Sequence, residues 1–465
     1  MEADRPAVKL RGPVLFDETG LRVKHIQSLR IIIWAIAFGT VCFNVTGGIA
    51  MTGYLKSLGV SDFVFGLLFA ASPAAGVVQI LASFVLERSR KRKGILIAAG
   101  LAARMVWLPF GLVPFLVPLS APMVRIWMVS LFLVISAVSN QFLSVSYNSL
   151  LADIIPLRIR GSYLGARGRV STIVGIAGGF LTAWLLDLFP GFNGYALVFA
   201  LAALFGTFDI TLFFMVEFPA MPEAKQKESI RVMLSDALKN RQFLGLAAFV
   251  TIWGFSLNLA VPFYLVYLRT VLVMSNTAIT LIAQILPNIC SVLILSHWGR
   301  ALDKQGIKHV MLRTARWSAI APLLWLVVSP GPLSFVLVII AYASTGLLIP
   351  AMEISSQNAI LSRSPERNRS MYIAIYFCVT TLVGNAFANA AGGWLLDNPL
   401  YSLETMGASL FGVALNRYNY LFLLSFALRC LCAWILLPRM IRPDEVAPDG
   451  QGANSPDEAA PDGQA

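Results

Sequence analysis

The chain has 465 residues, 57% hydrophobic and 13% charged, with a formal net charge of +12 and a mean hydropathy of +0.73. A soluble globular chain is about 45–50% apolar and about 25% charged, so this composition excludes a water-soluble domain and points to lipid. The basic excess is spread over many short segments, which excludes a nucleic-acid surface and reads as membrane orientation and contact with anionic lipid.

Residues 1–27 are polar, without the apolar core and small-residue cleavage site of a secretory signal, and read as a tail. Apolar runs follow near 28–52, 62–86, 94–118, 123–152, 162–187 and 194–217. After a polar break at 218–241, six more lie near 242–270, 276–298, 308–329, 332–361, 371–396 and 417–438. A hydrocarbon core about 30 Å thick takes about 20 helical residues at a rise of about 1.5 Å. Lipid offers backbone amides no partners, and these runs are too long for barrel strands, so each is expected to be a helix. The fold class that follows is an all-α membrane protein with twelve transmembrane helices.

The expected organisation is a tail (1–27), a six-helix bundle (28–217), a linker (218–241), a second six-helix bundle (242–440) and an acidic tail (441–465). In the linker, Ile230, Met233, Leu234, Ala237 and Leu238 recur at helical spacing, which predicts an amphipathic helix on the membrane surface. The last tail repeats Ala-Pro-Asp-Gly-Gln at 447–451 and 460–464 and is expected to be disordered. Alternating the loops puts 30 of the 36 Lys and Arg on the side of the termini, so both termini are expected in the cytoplasm. The other side holds Lys56, Arg125, Arg269 and Arg417, while Arg104 and Arg429 lie within spans.

Cys42, Cys290, Cys378, Cys430 and Cys432 all sit in apolar runs and read as packing thiols. His25, His297 and His309 form no cluster, so neither a metal nor a cofactor is expected. With no intramembrane histidine cluster or paired acids, an enzyme is not expected either.

The chain is similar to itself. A shift of 210 lays Trp184-Leu-Leu-Asp187 on Trp394-Leu-Leu-Asp397, and Ser146 and Asn148 on Ser356 and Asn358. Pro156 meets Pro365 with a one-residue slip, and a shift of 214 lays Asn44 on Asn258 and Pro73 on Pro287. The two bundles are therefore expected to be pseudo-symmetric parallel copies about an axis along the membrane normal, a transporter arrangement.

Between spans 8 and 9 the chain reads Gly299-Arg-Ala-Leu-Asp303-Lys-Gln-Gly306-Ile-Lys308. This resembles the major facilitator superfamily motif Gly-x-Leu-Ala-Asp-Arg-x-Gly-Arg-Lys, with Ile307 in place of a basic residue. Pro156, Arg160 and Gly161 match a second family feature, Pro-x-x-x-Arg-Gly, and the likeness covers roughly 28–440. The resemblance implies alternating access by two six-helix bundles around a central cavity lined by spans 1, 4, 7 and 10. It further implies gating by Gly299, Asp303 and Gly306 against Arg160 and Gly161. Asp303 would face the start of span 5, where unpaired N–H groups and a positive dipole end attract a carboxylate, and so favour the outward-open form. Glycine for a turn and charge for topology is the plainer account of this loop.

Charge within a membrane is costly, at least about 2.5–3.5 kcal/mol per group. Arg104 in span 3 and Asp209 in span 6, which the resemblance places on one flank of the same half, are expected to pair, as a static brace or in proton coupling. Arg429 in span 12 has no acidic counterpart. Gly346, Pro350, Glu353 and Gln357 share one face of span 10; there Glu353 is either a coupling or substrate carboxylate, or one simply hydrogen-bonded within the bundle. Span 4 carries Ser136, Asn140, Ser144 and Asn148 at steps of four, and further amides are Asn44, Asn258, Gln284, Asn288, Asn385 and Asn389. Singly, each amide reads as a helix bridge; together they suit a sugar-like polar solute. The expected function is a secondary active transporter of a small organic solute, with H+ or Na+ as the coupling ion. The alternative is a lipid flippase or multidrug exporter on the same fold. A monomer in a bacterial inner membrane is expected, with lipids and the solute as its partners.

Overall fold

The computed structural model describes residues 23–118, 120–155, 159–219, 239–363, 369–407, 409–410 and 413–440. Pro156, Pro365, both tails up to 22 and from 441, and the amphipathic stretch except Lys239 and Asn240 lie outside the described residues.

Among the described residues, eleven stretches are long and apolar enough to cross a membrane. They are span 1 Gln27–Ser57, span 2 Asp62–Ser89, span 3 Arg92–Leu116, span 4 Pro122–Ile154, span 5 Ser162–Leu188, span 6 Phe192–Leu212, span 7 Arg241–Thr270, Asn276–Val327, span 10 Leu333–Ile360, span 11 Tyr372–Thr405 and span 12 Arg417–Arg439. Asn276–Val327 has 52 residues, about twice what a bilayer takes. Gly306 breaks it at φ 76 and ψ 163, a conformation open to glycine because it has no Cβ, and the chain folds back there. Residues 276–305 and 307–327 are thus spans 8 and 9, which makes twelve spans among the described residues. Among the described residues the only strand pairing is a two-residue ribbon, Ser409–Leu410 with Val413–Ala414.

Local chemistry sets the ends. Ser61 accepts a hydrogen bond from the Val64 N–H and caps span 2; Ser275 does the same for span 8 with Ala278 N–H. Asn416 and Asn419 close a capping box at span 12. Arg125 is buried and donates to the carbonyls of Pro114 and Val117, so this cation, at the end away from the termini, caps the end of span 3. Span 6 ends at Leu212, five residues before the expected 217. Three π-helical segments interrupt spans 8, 11 and 12, at Leu281–Ile285, Thr380–Phe387 and Leu431–Leu436.

The duplication is visible in the packing. The Tyr54 hydroxyl donates to the Phe110 carbonyl at 2.7 Å, with Tyr195 and Phe199 edge-on to its ring. In the second half the Tyr267 hydroxyl donates to the Val328 carbonyl at 2.6 Å, with Tyr418 and Phe422 edge-on. Trp107 packs on Phe199 and Trp325 on Phe422 to complete each cluster. Large apolar side chains such as Trp127, Leu293 and Trp317 stay exposed, which is costly in water and harmless against lipid tails. Arg92, at the start of span 3, is buried: it binds Asp153 and the carbonyls of Ser149 and Pro219, tying span 3 to span 4 and to the segment that follows span 6.

Candidate functional site

Two copies of one arrangement join the halves at the end away from the termini. In the first, the Asp397 carboxylate, closing the Trp-Leu-Leu-Asp stretch of span 11, accepts from the backbone N–H of Asp62 at 3.2 Å and of Phe63 at 2.7 Å. In the second, Asp187, closing the same stretch in span 5, accepts from the N–H of Asn276 at 2.9 Å and of Thr277 at 2.8 Å. The first-turn N–H groups of a helix have no intrahelical acceptor and carry its positive dipole end. A carboxylate from the opposite half fills both needs with charge-assisted hydrogen bonds. Each lock is backed by a cation one loop away: Lys56 binds Asp62, and Arg269 binds Asn276. Span 12 reinforces the first through the Tyr418 hydroxyl, which donates to Asp62 at 3.3 Å, and through Arg417, 3.4 Å from Asp62 and 3.8 Å from Asp397. Arg269 also donates to the Tyr195 hydroxyl at 2.7 Å, across the seam.

Gly393 of span 11 lies so close to span 2 that a Cβ there would overlap the Asp62 carbonyl. The obstacle is backbone, which cannot swing aside. Gly393→Ala is therefore expected to force this end apart. A cysteine placed at Phe69, in the seam, should then react several-fold faster with an impermeant maleimide added from that side. Unchanged labelling would mean the seam does not need this close approach.

Two cavities lie below the locks. The first, about 780 Å³, is lined by Asn44, Asn140, Ser144, Arg167, Asn288 and the Arg104–Asp209 pair, among others. The second, about 820 Å³, belongs to the second half and is lined by Asn258, Glu353, Gln357, Asn385 and Arg429 among a wall of aromatic side chains. Both have the size of a small-molecule site.

The structure separates the amides that the sequence grouped. Asn44 of span 1 accepts from Gln284 of span 8, which crosses the seam, and Asn258 donates to Asn385 at 2.9 Å. Asn140 turns back on the Ser136 carbonyl at 2.9 Å and Asn148 on the Ser144 hydroxyl at 3.4 Å. Asn389 donates across the seam to the Phe69 carbonyl at 3.5 Å. Asn148, Gln284 and Asn389 line neither cavity. The span 4 stripe is divided as well: buried Ser136 donates to the Ala103 carbonyl and holds span 3, while Asn140 and Ser144 face the cavity.

Arg104 Nη2 stands 3.4 Å from Asp209 Oδ2. A Cβ at Gly206 would come within 2.7 Å of Arg104, so that glycine leaves room for the guanidinium. At the end bearing the termini, Asp303 is exposed and meets no described residue by hydrogen bond or ion pair, and Gly299 has open space around it. The helix of span 5 starts at Arg160; the side chains of Arg160 and Gly161 are outside the described set. The contact expected between Asp303 and the start of span 5 therefore falls on residues outside the described set. The hydrogen bonds and ion pairs between the halves whose two partners are both described lie between the Asn44–Gln284 level and the locks.

Sequence reasoning took the two Trp-Leu-Leu-Asp stretches as a mark of duplication only. The available signal was an acid ending one span opposite a Ser-Asp or Ser-Asn helix start in the other half. It also left out Arg167 and the aromatic wall around Glu353, which come from spans whose cavity-facing residues no single helical face predicts.

The family model described as Major Facilitator Superfamily matches residues 32–287, more than half of the chain. No curated protein matches the sequence. Among solved structures, a point mutant of the nucleoside transporter NupG is similar with a TM-score of 0.69 at 15% identity, covering 89% of this chain and 100% of that one. A bacterial homologue of the human lysosomal transporter Spinster, inward-facing and unoccupied, has a TM-score of 0.68 at 13% identity, covering 92% and 100%. The inward-open xylose transporter XylE from E. coli has a TM-score of 0.63 at 13% identity, covering 89% and 95%. At these identities the likeness carries the fold.

Proposed function

The chain belongs to the Major Facilitator Superfamily, and on that premise we propose that it is a secondary active transporter moving a small organic solute by alternating access. One observation carries this reading: two six-helix halves locked together at one end by the Asp187 and Asp397 contacts, with cavities midway. By the distribution of Lys and Arg, the end bearing the termini faces the cytoplasm, so locks at the opposite end make this the inward-facing state. The Asp187 and Asp397 locks hold that state, and Asp303 acts at the other end when the halves rock.

The cavity amides and hydroxyls, Asn44, Asn140, Asn258, Asn288, Asn385 and Gln357, orient the solute through hydrogen bonds, and Glu353 carries the coupling proton. An acid that lines the cavity without an ion pair to a described residue is placed to gain and lose a proton as access alternates. The aromatic wall of the second cavity, with Trp253, Tyr264, Trp325 and Tyr342, favours one further reading, export of lipophilic compounds.

Uptake into proteoliposomes under an imposed pH gradient, screened over sugars, organic acids, amino acids and lipophilic cations, tests the proposal. A solute driven by the gradient supports it, and lipophilic cations alone would select the exporter reading. Glu353→Gln is expected to abolish gradient-driven uptake while solute counterflow persists. Uptake that still follows the gradient in that variant would remove Glu353 from coupling.

A further inference from the structure

Arg429 is a buried cation with no counter-ion among the described residues. Its side chain reaches the wall of the second cavity, and the residue is 5% exposed. Nη1 donates to the Ser318 carbonyl at 3.3 Å, the Tyr264 phenol lies beside it, and Nε has no partner. Neutral dipoles satisfy part of a guanidinium and leave its charge uncompensated.

The duplication shows what is missing. A shift of 218 lays Trp107 on Trp325 and Phe110 on Val328; a shift of 223 lays Tyr195 on Tyr418 and Phe199 on Phe422, residues that make the same contacts in each half. The same shifts put Arg104 on Pro322, Gly206 on Arg429 and Asp209 on Cys432. Each half thus has one arginine in this layer, on span 3 in the first and on span 12 in the second. Only the first retains the acid. Where Asp209 neutralises Arg104, the second half has the thiol of Cys432, fully buried.

The same cavity holds another unanswered donor, the buried Trp253 Nε1. Its one acid, Glu353, forms no ion pair with Arg429. Two orphaned donors, one of them charged, on the wall of a cavity of about 820 Å³ call for an acceptor that the described protein does not provide.

We infer that Arg429 anchors a subsite for the carboxylate of an organic solute, whose ring or hydroxylated body lies against Tyr264, Trp325 and Tyr342. The guanidinium edge made by Nε and Nη2 matches the two oxygens of a carboxylate. A single uncompensated cation balances one negative charge, and Glu353 in the same cavity repels a second. A carboxylate is therefore preferred over a phosphate dianion. The inference rests on the transporter reading and narrows it from polar solutes to organic acids.

The test is thermal unfolding of the purified full chain in detergent with matched solutes: glucuronate against glucose, benzoate against benzyl alcohol, and glucose phosphate. At least one carboxylate should raise the midpoint while its neutral counterpart does not. Arg429→Gln should weaken that carboxylate about tenfold or more, and Arg429→Lys less, because it retains the charge but loses the planar fork. The midpoint of each variant without solute reports whether it still folds, and if the Gln variant does not fold the Lys variant carries the test, since losing the planar fork should still weaken the carboxylate. Four results would overturn the inference: no carboxylate binds, neutral partners bind as well, glucose phosphate binds more tightly, or binding survives loss of the charge. Counterflow in proteoliposomes separates the two levels. A carboxylate that binds and is not carried removes the transport reading and leaves the anion subsite, whereas a neutral solute carried equally well by Arg429→Gln does the reverse.

Discussion

Asp209→Leu is expected to cost about 3–5 kcal/mol of stability, because removing one member of a buried ion pair leaves the other charge uncompensated. Arg104 stands at the cavity wall with its side chain only 13% exposed. Its Nε already lacks a partner, and its alkyl stem passes over Gly206 beside Cys42, a buried position. The consequence should be a sharp fall in folded protein recovered from membranes and in the midpoint of thermal unfolding in detergent. The double variant Arg104→Met with Asp209→Leu should recover most of the loss, since a well-packed apolar pair of similar volume is often as stable as the ions it replaces. Transport by the double variant then separates the two roles open for this pair: activity equal to the parent chain means a brace, and a folded protein without gradient-driven uptake means coupling.

The second large effect is on conformation. Asp187→Asn with Asp397→Asn retains the shape of each lock and removes its charge, placing an amide NH₂ where helix N–H groups already point. A carboxylate at a helix N-terminus is worth about 0.3–1 kcal/mol when exposed and up to about 2 kcal/mol when partly buried. Asp187 is exposed and belongs at the low end, while Asp397, with Arg417 near it, belongs higher. Together they should move the ratio of far-end-closed to far-end-open molecules about 5–30-fold, the span that one or two kcal/mol covers. Reactivity of a cysteine at Phe69 from the far side should rise accordingly. Each single variant should give a smaller change, Asp397→Asn the larger of the two. A double variant that labels like the parent chain would mean that the aromatic and glycine contacts close the seam without help.

Much of the scaffold was legible in the sequence, since the physics of a lipid-facing helix is written in run length and loop charge. The duplication was legible too, from Trp-Leu-Leu-Asp at two places. Purpose was harder to read. Asp303 sits in the recognised motif and is exposed, its expected partners lying outside the described residues, whereas Asp187 and Asp397 use the same carboxylate-to-helix chemistry at the opposite end. Sequence spacing shows that an acid ends a span and is silent about which helix start lies across from it.

Cavity residues were only half legible because a helical wheel assumes about 3.6 residues per turn. Gln284 and Asn385 sit inside π-helical segments, and Arg429 lies two residues before another. Each such segment takes up an extra residue and turns the following face. That rephasing helps set Asn385 and Asn389, one helical turn apart in sequence, to different tasks: the first on the cavity wall, the second in the seam. Arg429 had no acidic counterpart in the sequence because its counterpart position in the duplicate is a glycine, and the acid's position is a cysteine.

The central claim is that two halves alternate between a state closed at the far end by the Asp187 and Asp397 locks and one closed at the end bearing the termini. Distances between spin labels at Ser57 and Ser402, across the far end, and at Lys91 and Lys304, across the other, test it most directly in the full chain reconstituted in lipid. The account predicts a short far-end and a long near-end distance at rest, and in the Asp187→Asn, Asp397→Asn variant a second population in which the two are reversed. A single pair of distances that the substitutions leave unmoved at both ends would contradict it.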